Sequence, residues 1–200
     1  MKKAKIAVLV SGGGTNLQAL LDAEKSGALH SGTIALVLSN KPNAYALVRA
    51  ANAGVETVVV EKKDPATFEQ RIAEELEKRS IDLVVLAGFM VILSKNFTDR
   101  YQERILNVHP SLIPSFCGEG FYGLKVHEAA LKKGVKVTGA TVHFVNEIPD
   151  GGRIVMQKAV EVKEGDTPEI LQRRVMEEAE WKILPASCEI VSKKISEEKK

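Results

Sequence analysis

The sequence is poor in the devices by which small proteins are stapled, anchored or drawn to polyanions. Only two of its 200 residues are cysteines, Cys117 and Cys188. Two thiols so far apart make neither a disulfide framework nor a zinc pattern, and no His/Cys/Asp/Glu cluster has metal spacing. Charge of one sign is missing too: 28 Lys and Arg face 26 Asp and Glu, a net +2. That balance gives no support to nonspecific nucleic-acid or membrane-surface binding, while leaving room for a small anion held locally. Long apolar runs are absent. Ile6–Val10 comes after lysines as a signal peptide would, but it is far too short and ends in glycines. No stretch approaches the roughly 18 apolar residues of a membrane helix. The expectation is a reduced, cytoplasmic, soluble protein without a metal. At this length a chain buries about 70% of its unfolded surface and needs no staple.

What is present is a regular alternation. Ile6–Val10 reads as a strand buried on both faces. Ser11–Gly14 breaks it, and Thr15 is placed to cap a helix bearing Leu17, Leu20 and Leu21 on one face and ending near Gly27. Strands are predicted at Thr33–Ser39, Val55–Val60, Leu83–Ala87 and Arg104–Leu106. Helices are predicted at Ala44–Ala53 and from Pro65 through Phe68, Ile72 and Leu76. This order implies an α/β fold: a mostly parallel, doubly wound, Rossmann-like sheet with helices on both faces, binding ligands outside the carboxyl ends of its strands. The second half differs. His109–Gly123 is a long loop with two prolines and three glycines, of a kind that is usually functional. Lys125–Lys133 is helical, and Val137–Val145 and Ile154–Val162 form an antiparallel pair joined by Asn146–Gly152. A helix over Pro168–Leu184 is capped by Thr167 and broken or kinked at Pro185, and the charged tail Ser192–Lys200 is expected to fray. Residues 1–200 read as one domain, with a nucleotide-type half over 1–100 and a catalytic half over 101–190.

Three motifs carry chemistry. Ser11-Gly-Gly-Gly-Thr-Asn16 joins a strand to a helix, where bare amides and the helix dipole suit a phosphate. It is neither a dinucleotide fingerprint, whose third glycine would fall on Leu17, nor a P-loop, and a plain tight turn is the alternative. Asn107 and His109 end a strand and share a face if the strand persists; an amide donor beside an imidazole suits oxyanion stabilisation and proton transfer. A strand-end Asn and a surface His are the alternative. Pro110 and Pro114 stiffen the chain just past this strand end. Asp150-Gly-Gly152 places a carboxylate on a turn from which it could raise a histidine's pKa, or it is turn chemistry alone. His143 reads as a core histidine, His127 and His30 as helix-surface residues, and Cys117 as a bystander thiol.

Together these segments resemble the folate-dependent formyltransferases from about Ile6 to Pro185. The segments are Val10-Ser-Gly-Gly-Gly-Thr-Asn-Leu-Gln18, Ser39-Asn-Lys41, Val85-Leu-Ala-Gly-Phe-Met90, Leu106-Asn-Val-His-Pro-Ser-Leu-Ile-Pro-Ser-Phe116, Thr138-Gly-Ala-Thr-Val-His-Phe-Val145 and Asp150-Gly-Gly152. The first of them narrows the resemblance to the phosphoribosylglycinamide formyltransferase family and its hydrolase relatives. The resemblance implies a formyltransferase fold and transfer of a formyl group from 10-formyltetrahydrofolate to the amine of N1-(5-phosphoribosyl)glycinamide (GAR) in purine biosynthesis. It implies a catalytic trio of Asn107, His109 and Asp150, with Asn107 and a protonated His109 facing the carbonyl oxygen. It places the GAR phosphate at Gly14, Thr15 and Asn16, the GAR ribose at Glu180, and the folate along Met90, Val91, Ile92 and Leu93, with Asn107 near the formyl group. It sets His143 close to the site, requires no metal or redox cofactor, and leaves a homodimer open.

This sequence departs from the pattern at several points. Val91 stands where a basic residue is usual, Arg153 where proline is common, and no arginine lies near Pro65. The 116–126 loop is longer than the common form, and Glu180-Trp181 replaces Glu-His with one extra residue before it. Two other readings compete. A formyltetrahydrofolate hydrolase would use water as nucleophile but usually carries an added N-terminal domain, and a first strand near Ile6 is expected to leave no room for one. A non-catalytic nucleotide-binding module would account for the glycine turn but not for Asn107, His109 and Asp150. Methionyl-tRNA formyltransferases carry a C-terminal domain and a basic surface, neither of which is expected of this sequence.

Overall fold

A computed structural model describes residues 2–199. Seven strands form one sheet in the order β3-β2-β1-β4-β5-β6-β7. They are β1 (Ala4–Val10), β2 (Gly32–Ser39), β3 (Thr57–Val59), β4 (Leu83–Leu86), β5 (Ile105–His109), β6 (Val137–Phe144) and β7 (Ile154–Glu161). The first five pair in parallel, and β6 runs antiparallel to both β5 and β7. The expected sheet is therefore present, with its antiparallel part in the C-terminal half. Strand order reverses between β1 and β4, and a crevice at their carboxyl ends is where such sheets bind ligands.

The alternation of side chains across β1 shows why both faces are covered. Ile6, Val8 and Val10 pack with Leu17, Leu20 and Leu21 of α1 (Thr15–Ser26) and with Ile183, Leu184 and Val191 of α7 (Trp181–Glu198). Ala7 and Leu9 face the other way, onto Phe68, Ile72 and Leu76 of α3 (Pro65–Lys78) and Phe97 of α4 (Lys95–Arg100). The short helix α2 (Tyr45–Asn52) buries Ala46 and Ala50 beside α1; α5 (Leu124–Lys133) and α6 (Pro168–Val175) complete the first layer. Among the described residues no helix is long and apolar enough to cross a membrane.

Several expectations need correction. Thr15 does not cap α1: Gly14 occupies the cap in the left-handed region, φ 74°, and makes no side-chain cap bond. The strand expected at Arg104–Leu106 instead runs to His109, because β6 continues pairing with it through His109 and Thr141. Pro185 does not break the last helix. The irregularity lies earlier, where Met176–Glu180 form a π-helical turn, and α7 then continues through Pro185. One inserted residue is what a π turn absorbs without disturbing the helix on either side. The tail does not fray either. Ser192 and Ile195 are buried on α7, which runs to Glu198, and Lys199 Nζ bonds Asp82. Lys200 lies outside the described residues.

Candidate active site

β5 and β6 build the candidate catalytic cluster from a direct cross-strand pair. Asn107 lies opposite His143, and His109 shares its face two residues on. His143 Nδ1 lies 2.8 Å from the Phe144 carbonyl, which only an N–H can satisfy. In the neutral ring Nε2 is then an acceptor, and it takes the Asn107 amide at 3.2 Å. The other Asn107 N–H remains for a ligand. Asp150 stands between the two histidines and accepts from a ring only when that ring is protonated: Oδ1 lies 3.4 Å from His143 Nε2 and Oδ2 lies 3.4 Å from His109 Nδ1. His143, read from the sequence as a core residue, is buried but stands inside this cluster.

Asp150 is held there by backbone. Its φ is 56°, in the left-handed region, and its Oδ2 accepts from Gly118 N at 2.9 Å. Gly152 must be glycine, because a Cβ there would come 1.7 Å from the Phe144 carbonyl oxygen. The loop between Pro110 and Gly123 reaches both acid and base: His109 Nε2 donates to the Phe116 carbonyl at 2.9 Å, one residue from Cys117 and two from Gly118. Burial pushes the His109 imidazole below its ordinary value, although Asp150 and the Phe116 carbonyl both push it up. The expected net rise is therefore reversed, since desolvation of a buried cation outweighs one carboxylate at this distance. Burial thus favours the neutral ring, in which the proton lies on Nε2 and the Nδ1 lone pair faces Asp150. Nε2–H is taken by the Phe116 carbonyl and Nδ1 carries no proton in the neutral ring, so Asn107, not His109, offers a free donor. Burial pushes the Asp150 carboxyl up, but His143, His109 and Gly118 together hold it below its usual value.

The glycine turn sits at the end of β1. Ser11 Oγ donates to Asn40 Oδ1 at 2.7 Å and accepts from Met90 N at 2.9 Å, so one hydroxyl ties the ends of β1, β2 and β4. Asn16 Nδ2 donates to Glu180 Oε2 at 2.7 Å, so the structure brings Glu180 to the turn. Burial pushes the Glu180 carboxyl up to about 6, against the Asn16 amide, and Asn16 Oδ1 has no partner. Thr15 is exposed, its Oγ1 3.9 Å from Met176 Sδ on the π turn. Of the segment expected to bind folate, Met90 and Ile92 are exposed and Val91 is half-buried. Leu93 instead packs inward with Phe68 and Phe97, shaping the segment from beneath.

His30 is exposed but lies beyond the end of α1 and not on a helix, and His127 departs further from its expected place. His127 is fully buried on α5, not on its surface, and among the described residues neither ring nitrogen has a partner. Burial, with a smaller effect from His109, pushes its pKa down to about 4. Cys117 is half-buried, its thiol donating to the Pro114 carbonyl at 3.3 Å and pushed up in pKa by burial and by Asp150. A lone histidine on a strand or helix gives no periodic signal, so periodicity does not place His127 or His143, and only the resemblance points to His143.

The family model described as formyl transferase matches residues 4–187. The phosphoribosylglycinamide formyltransferase of Haemophilus influenzae is 43% identical over 184 residues, covering 90% of this chain and 84% of that one. The human trifunctional purine biosynthetic protein adenosine-3 is 47% identical over 194 residues, and this chain spans only 18% of its length. The crystal structure of glycinamide ribonucleotide transformylase 1 from Symbiobacterium toebii superposes with a TM-score of 0.89 at 41% identity, covering 96% of this chain and 89% of that one. With its sheet order, its β5–β6 cluster and these matches along nearly its whole length, the chain belongs to the formyl transferase family.

Proposed function

We propose that this protein transfers the formyl group of 10-formyltetrahydrofolate to the amine of GAR. The observation that carries the reading is the convergence of Asn107, His109, His143 and Asp150 at the carboxyl end of β5, within a sheet whose β1 turn offers bare amides. The amine attacks the formyl carbon, a C–N bond forms, and the carbonyl electrons move onto oxygen. The free N–H of Asn107 stabilises that oxyanion. The attacking nitrogen loses a proton to the neutral His109–Asp150 pair, directly or through a water. That proton goes to N10 of the folate as the C–N10 bond breaks, leaving tetrahydrofolate and formyl-GAR.

The phosphate sits on Gly14, Thr15 and Asn16, the ribose near Glu180, and the folate along Met90, Val91 and Ile92. In this reading the 1–100 half binds GAR phosphate and the 101–190 half does the chemistry. Much of the rate comes from holding the two substrates together. The test is a product assay with 10-formyltetrahydrofolate, with and without GAR. Formyl-GAR appears only when GAR is present and folate turnover is negligible without it. Equal folate turnover in both tubes would move the assignment to a hydrolase.

A further inference from the structure

The glycine turn must present its N–H groups outward, and a turn with this many glycines has no intrinsic reason to do so. The structure supplies one from α2. Gly12 O accepts from Ala46 N at 3.0 Å, and Gly13 O accepts from Arg49 Nε at 2.8 Å. A trans peptide carries its C=O and its N–H on opposite sides. Drawing these two carbonyls toward α2 therefore turns the N–H groups of Gly13 and Gly14 away from it. Among the described residues neither N–H is taken by a protein acceptor.

We propose that Arg49 is a positioning residue for phosphate binding: its guanidinium holds the Gly13 carbonyl back and so aims the Gly14 amide at the phosphate monoester of the nucleotide substrate. This rests on the phosphate being bound at the glycine turn. The guanidinium is itself fixed in place. Nη1 donates to Gln18 Oε1 at 3.1 Å, and the group lies 5.1 Å from the centre of the Tyr45 ring. Gln18 N in turn donates to Gly14 O at 2.9 Å within the first turn of α1, so the glycine turn, α1 and α2 are joined through one residue. Arg49 thus acts from behind the turn. Its planar fork, reaching two acceptors at once, is what a lysine cannot reproduce.

The experiment compares wild type, Arg49→Met and Arg49→Lys on GAR and on the dephosphorylated nucleoside, with thermal unfolding to verify that each variant folds. The expected result for Arg49→Met is a rise of about tenfold in KM for GAR, the loss typical of one charge-assisted hydrogen bond. The KM for 10-formyltetrahydrofolate and kcat/KM for the nucleoside stay where they were. Arg49→Lys recovers only a minor part of the loss. Equal losses on both substrates, an unmoved KM for GAR, or full recovery by lysine would each overturn the proposal, the last because charge alone would then suffice. If wild type itself fails to distinguish GAR from the nucleoside, it is the placement of phosphate at the turn that falls.

Discussion

The two ends of the site hold their working groups in opposite ways. At β1 the groups are backbone amides on an accessible turn, aimed by ties from α2. At β5 and β6 they are side chains, with only 5% of His109 and 12% of Asp150 left accessible. The difference matches the task. A phosphate is charged throughout the reaction, and fixed dipoles suffice to hold it. A proton that must leave one group and reach another needs partners whose pKa values are set by burial and by one another.

The sharpest break in this contrast comes from the buried end. We expect His109→Ala to lower turnover by about 10²–10⁴, the range for loss of a proton-transfer group. Asp150→Asn should lower it too and move the acid limb of the pH profile down, because the one carboxylate opposing burial at His109 is gone. The two act as a unit, so the double variant should be hardly worse than His109→Ala. A full cycle of turnover numbers checks this; losses that multiply, with an unmoved profile, would reduce Asp150 to a turn residue.

Gly152→Ala should come next. Its Cβ cannot fit against the Phe144 carbonyl, so the turn must move and take Asp150 with it. A displacement near 1 Å costs about 10²-fold, read as lower kcat with the KM for GAR unchanged. Gly14→Val should do the reverse, raising the KM for GAR about tenfold or more while sparing the folate. The reason lies beneath the turn: a Cβ at Gly14 meets Ala46 Cβ at 2.6 Å, and φ of 74° is strained for valine. A rise in the folate constant would show that the two substrates have been placed the wrong way round.

The smallest effect concerns stability. His127 is pushed down to about 4 by burial, whereas an unfolded histidine titrates near 6.5. Below the unfolded value the unfolded chain binds the extra proton, so stability is full above about 6.5 and is lost as pH falls toward 4. From pH 7 to 5.5 the loss is about 1 kcal/mol. Denaturant unfolding at the two pH values should show a loss larger by about this amount in wild type than in His127→Phe, a difference in which the shared contributions of His109 and Glu180 cancel.

Much of the frame is legible in the sequence because it rests on local patterns. The apolar run of β1, the Phe68, Ile72 and Leu76 face of α3 and the Gly27 stop each arise from short-range chemistry. Strand periodicity alone places Asn107 and His109 on one face, given that β6 extends β5. The π turn is not legible as such, since Leu171, Val175, Ala179 and Ile183 keep a spacing that an unbroken α-helix also allows. The extra residue before Glu180 is the one hint. The charge of the tail misleads, although Cys188, Val191 and Ile195 carry a helical stripe into it. The net pKa of His109 cannot be read from sequence at all, because it depends on how much water the fold removes.

The contacts that Phe116 and Gly118 make with His109 and Asp150 come from a carbonyl and an N–H, atoms that every residue type but proline shares. What these contacts require is the path of this chain segment more than its side chains, except at Gly118, whose φ of 87° favours glycine. The segment can drift in composition, and even lengthen beyond residue 118, while the same two groups stay clasped. A stretch of sequence that looks unlike its relatives is thus compatible with a site that has not changed.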